Sequence, residues 1–194
     1  MDLIGVVEKI EASGIGEWMR TTVKAVPVVE AIHVMAIAVV FGTILVVDLR
    51  LLGLRDTRRP YTQVSRELLG WTWAAFVVAA ITGAMMFAAN AMTYYQNTPF
   101  RLKMLALVAA GLNMAVFHLI TGRDVDEWDT SRSAPAGGRV AGALSILIWT
   151  SVIFLGRWIG FTKGYDFSVP EEVDFDFLES GIGLLLELGG SALG

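Results

Sequence analysis

The 194-residue chain has no cysteine, only two histidines and little charge. Without cysteine there can be no disulfide scaffold, zinc-finger ligand set, cysteine-ligated iron–sulfur cluster or c-type haem attachment, so any metal chemistry must use other ligands. Asp, Glu, Lys and Arg make up 18% of the residues, and 15 cations against 19 anions leave a net charge of −4. The basic residues form no run, which removes the electrostatic footprint that nucleic-acid binding requires. What the chain has in excess is apolar surface: 55% of residues are hydrophobic and the mean hydropathy is +0.59, well above what a soluble chain carries.

The excess is gathered into four stretches, 25–47, 68–92, 100–120 and 140–161, each with few ionisable residues. About 20 helical residues at about 1.5 Å rise cover a hydrocarbon core about 30 Å thick, so each stretch is long enough to cross a bilayer. A soluble bundle would need an amphipathic stripe and a polar outer face on every helix, and these stretches have neither. Trp71 and Trp73, Tyr94 and Tyr95, and Trp158 mark the ends of spans as interfacial aromatic belts do. The short connections predict sequential antiparallel neighbours: an all-α, integral membrane, up-down four-helix bundle. Pro60 and the run Ser133 to Gly138 are the clearest helix breakers, and both fall in connections.

Residues 1–24 place Leu3, Val6, Val7, Ile10, Ile15, Trp18 and Met19 at near-helical spacing, with charges between them. This predicts a retained amphipathic segment lying in the membrane interface, broken around Gly14 and Gly16. Residues 162–194 form an acidic amphipathic tail, too short to span and unsuited to anionic lipid, which fits docking onto protein or a solvated tail. Both termini and the connection after the second span share one side, side A, with seven cations against 12 acids; side B has eight arginines against seven acids. The arginine density of its two connections makes side B the cytoplasmic side and puts the termini outside.

Ionisable groups inside spans are costly and are therefore functional candidates. Glu30, His33, His118 and Arg157 qualify. On the first span Glu30 and Asp48 share an azimuth and His33 lies about 60° away, so this stripe is expected to face the bundle interior. Glu30 and Arg157 lie at similar depth on side A and are placed to pair, either to neutralise each other or to hold a ligand's acidic groups. His33, about 12 Å below side A, can be a metal or haem ligand, a proton carrier or a hydrogen-bonded packing element. His118 lies some 15 Å deeper, too far to share one iron with His33. Met85 and Met86 lie near the depth of His33 and allow either core filling or His/Met ligation, with an open sixth position as the other arrangement. For His118 the alternatives are a hydrogen bond to Asp48 that pins two helices, or a second cofactor or proton access point. Arg101 and Lys103 are expected to snorkel to side A, with Lys103 able to turn inward. Asn113 is expected to bond between helices, and Gly42, Gly83, Gly111 and Gly142 to permit close helix contact.

Glu30-x-x-His33, Gly42, Asp48 to Gly53, Trp71-x-Trp73, Thr82-Gly83, Phe100 to Lys103, Asn113, Phe117-His118, Gly142 to Ser145 and Gly156-Arg157 together resemble a family of bacterial four-helix membrane proteins of unknown function. That likeness implies the fold and a multi-pass place in the bacterial inner membrane, and it supplies no activity. His33, Gly42, Arg50, Lys103 and Phe117-His118 are similar, more weakly, to the haem-b-containing membrane protoporphyrinogen oxidases and copper-resistance D-like membrane proteins. This second resemblance implies His33 as a haem b ligand and Lys103 at the place of a functional lysine; the longer Lys-to-His spacing here does not carry a substrate over.

Three functions follow as expectations. The first is a redox module holding haem b at His33, with its propionates near Arg157, Arg101 or Lys103, passing electrons between quinone and a partner on side A. The second is a non-catalytic subunit of a larger membrane complex, docked through the N-terminal segment and the acidic tail. The third is a carrier using Glu30 and His33 as a proton relay, disfavoured by the scarcity of polar pore residues.

Overall fold

A computed structural model describes residues 3–55 and 58–162, and it is all helical over that range. Two short helices, α1 (Leu3–Glu11) and α2 (Gly14–Thr21), precede α3 (Ala25–Leu51), α4 (Tyr61–Ala89), α5 (Ala91–Gln96), α6 (Thr98–Ile120), a 3-10 turn with the one-turn α7 (Val125–Trp128), and α8 (Ala136–Thr162). The acidic tail lies outside the described residues.

Helices α3, α4, α6 and α8 are each long and apolar enough to cross a membrane, which makes this a multi-pass membrane protein. Large apolar side chains such as Met35, Leu105, Leu112, Leu147 and Phe154 stand exposed along them, the surface a helix offers to lipid. Around the bundle α4 packs on α3, α3 on α8 and α8 on α6, which is the up-down order. The remaining seam, α4 with α6, is pinned by stacked Phe87 and Phe100 (5.5 Å) towards side A and by Tyr61 edge-on to Phe117 (5.9 Å) towards side B.

Three of the helices, α3, α4 and α8, overrun their apolar stretches on side B. α4 begins directly after Pro60, where the Asp129 carboxylate accepts from the Thr62 amide (2.8 Å) and hydroxyl (2.8 Å), a cap supplied from 67 residues away. α8 starts at Ala136, inside the run expected to be a breaker, because a Pro immediately before a helix is compatible with its first turn. At the side A end of α4 the backbone breaks at Asn90, and the expected connection is instead largely α5. α6 is capped by Asn97, whose oxygen accepts from Phe100 N (3.0 Å) while its amide donates to Thr162 on α8 (2.9 Å).

The N-terminal segment is folded onto the protein. Its break falls at Ala12–Ser13, Ser13 capping α2; Glu11 accepts from the Met92 amide (2.8 Å) at the start of α5, and Arg20 donates to Ala89 O (3.0 Å) at the end of α4. Leu3, Ile15 and Trp18 stand exposed on it.

Two apolar clusters close the ends of the bundle: Met19, Ala25, Val29 and Ala89 at side A, and Leu51, Tyr61, Phe117, Trp128, Ala134 and Ala141 at side B. Of the four span glycines expected to allow close approach, Gly142 does so, since a Cβ there would stand 3.3 Å from Asp48 O, and Gly83 does so against His33; Gly42 and Gly111 face open space. Asn113 donates to Ala141 O (2.9 Å) and joins α6 to α8 as expected.

Candidate functional site

The bundle has polar groups in two places, one in each leaflet. In the side A half, His33 of α3 faces α4. Its Nδ1 is 2.9 Å from Thr82 Oγ1, and the Thr82 hydroxyl is in turn 2.7 Å from Val78 O. A hydroxyl has one proton, and the carbonyl can only accept, so Thr82 presents a lone pair to the ring. The hydrogen-bond network thereby assigns the hydrogen to Nδ1 and leaves the Nε2 lone pair free. Gly83 lies against the imidazole: a Cβ there would come within 3.1 Å of Cε1, so any larger residue would push the ring out of place.

Lys103 of α6 turns inward rather than snorkelling. Its ammonium lies beside α8, where a Cβ on Gly156 would be 3.4 Å from Nζ, and its charge acts on the His33 ring. It has no hydrogen-bond or ion-pair partner among the described residues. Glu30 and Arg157 do not pair. Glu30 is exposed without a partner among the described residues, and the Arg157 guanidinium lies 5.0 Å over the Phe161 ring instead. Phe161 lies one turn further along the same helix, so its ring face is within reach of the guanidinium whatever α3 does. Arg101 is exposed at the same end. Met85 and Met86 pack against the side A cluster, and Met85 also lines an apolar groove between α4 and the helices α1 and α2.

In the side B half a cavity of about 270 Å³ lies between all four long helices. Asp48 is 5% exposed there; its carboxylate takes a hydrogen bond from Ser145, and Oδ2 has no partner. The expected Asp48–His118 bond is absent. His118 is exposed on the cavity's rim, its Nδ1 donating to Met114 O (2.9 Å) one turn back and its ring edge-on to Phe117 (5.4 Å). A carbonyl four residues back on the same helix is within reach whatever the neighbouring helices do, so it holds the ring.

Arg50, expected only as a loop charge, is fully buried. Its guanidinium donates to Arg59 O (2.9 Å), Asp129 O (3.0 Å), Ser131 O (2.9 Å) and Arg132 O (3.4 Å), tying both side B connections to the end of α3. Thr82 and Arg50 are the residues whose part the sequence reading missed. A mid-span hydroxyl at the depth of His33 was the available signal for the first; nothing local announces the second.

Residues 7–162 match a family described as a family of unknown function (DUF6644). No curated protein and no solved structure matches the chain.

Proposed function

The chain belongs to that family of unknown function (DUF6644), which brings no activity with it, and from the geometry of the side A half we propose a membrane redox module in which His33 ligates haem b. The observation that carries this reading is the free Nε2 of His33, with Nδ1–H held by Thr82. Metal-bound imidazoles are typically oriented in this way through the other ring nitrogen. Among the described residues no three His, Asp or Glu side chains gather, and a lone imidazole suits iron already held by a macrocycle better than a bare ion. Haem b supplies a one-electron centre whose potential is set by its axial ligand and the low-dielectric surroundings.

The other residues fit as supports. Thr82 fixes the direction and tautomer of the imidazole, and Gly83 leaves the ring room. Lys103, Arg101 and Arg157 are cations on the side A half without carboxylate partners among the described residues, placed to meet the acidic groups of a ligand. Met85 and Met86 are engaged in packing, which favours His33 as the single protein ligand with the sixth position open. Electrons would pass between quinone and a protein partner on side A, met by the exposed apolar faces of α1 and α2 and by the tail. The arginines of side B favour a cytoplasmic place for that face in a bacterial inner membrane, with both termini periplasmic.

The test is a reduced-minus-oxidised absorption spectrum of the detergent-purified full chain expressed with ample haem. The expected result is Soret and α bands that disappear in His33→Ala. Absence of both bands in the native chain overturns the reading; bands that persist in His33→Ala overturn the ligand assignment.

A further inference from the structure

The side B cavity has no part in the redox reading and holds a buried carboxylate oxygen without a hydrogen-bond partner. Asp48 Oδ2 is buried in it with no donor, and a carboxylate in a membrane interior without a counter-charge is costly. The nearest cation in sequence, Arg50, does not relieve it, because its donors are taken by four main-chain carbonyls. Five of the residues lining the cavity are aromatic, Tyr61, Trp73 and Phe76 from α4, Phe117 from α6 and Trp149 from α8, among aliphatic and polar neighbours. Aromatic faces attract cations, and the attraction grows when water is excluded. The cavity volume, about 270 Å³, is close to the lower end of small-molecule sites. Its lining draws on α3, α4, α6 and α8.

We propose that this cavity binds a small hydrophobic ammonium ion, its N–H donated to Asp48 Oδ2 and its apolar body held among Trp73, Phe76 and Trp149. An ammonium brings both things the carboxylate lacks, a donor and a positive charge. A neutral carbonyl compound brings only another acceptor. The site stands independently of any haem at His33, which lies in the other leaflet.

Binding of 2-phenylethylammonium to the full chain in detergent, followed by tryptophan fluorescence and calorimetry, tests the proposal against its neutral isostere 2-phenylethanol and against duroquinone. The ammonium should bind at least tenfold more tightly than either, and Asp48→Asn should abolish that preference. Gly111 lines the cavity and a Cβ there would meet nothing within 4 Å, so Gly111→Leu should narrow the site and weaken ammonium binding at least tenfold in a normally folded protein. Equal affinity for the ammonium and the alcohol, tighter binding of duroquinone, or a preference retained in Asp48→Asn would overturn the proposal. Should Asp48→Asn not fold, undiminished ammonium binding by Gly111→Leu overturns it alone.

Discussion

At the scale of single residues, the side chains that matter are those whose partners are fixed by other helices. Thr82→Val is close in shape and removes the acceptor of the His33 Nδ1–H. The expected outcome is a folded protein destabilised by about 1 kcal/mol and, on the proposed haem reading, affinity for the metal at Nε2 reduced about 10- to 100-fold, read as haem retained after purification. Arg50→Met leaves four carbonyls without their donor and should cost about 3 kcal/mol or more, measured as loss of thermal stability in detergent. Arg50→Lys should restore little of this, since one ammonium cannot reproduce the guanidinium fork. The sequence marked His33 because an ionisable group in a span stands out by type alone, and it placed Asp48 near the same stripe. It could not say that His33 is oriented by Thr82, that Glu30 and Arg157 turn away from each other, or that Asp48 stays without a second partner, since those outcomes depend on rotamers and on which helices meet.

At the scale of elements, apolar runs located the four long helices well and their ends poorly. Hydrophobicity stops at the bilayer edge, whereas a helix stops where its terminal amides and carbonyls find other partners. The cap of α4 comes from Asp129, and the break at Asn90 that creates α5 has no strong sequence signature. The docking of the N-terminal segment was hidden for a related reason: a face apolar enough for the interface is also apolar enough for α4. Gly16 makes that contact possible, because a Cβ there would lie 2.5 Å from Glu11 O and 2.6 Å from Ala88 O, both main-chain atoms. Gly16→Ala should therefore lift α2 from α4 at a cost of about 1–3 kcal/mol, with faster proteolysis of the N-terminal segment as the readout. Equal proteolysis rates in the two proteins would contradict the contact.

At the scale of the whole molecule, the lack of cysteine becomes an experimental convenience. Single cysteines at Ser131, on side B, and at Ser13, on side A, can be labelled in intact cells with an impermeant maleimide. Labelling at Ser13 and protection at Ser131 is the expected pattern, and the reverse would invert the assigned orientation. The arginine asymmetry that motivates it was legible in composition, although Arg50 contributes a tether to that face rather than a surface charge. That tether also bears on the order of synthesis. Arg50 leaves the ribosome with only Arg59 O nearby, and its other three acceptors, Asp129, Ser131 and Arg132, emerge 79 to 82 residues later. A nascent chain that has inserted three long helices thus carries an unlatched guanidinium at the membrane surface, and the loop before α8 is the bolt. A chain ending at residue 120 should be inserted and yet be degraded faster than the full protein, measured by pulse-chase.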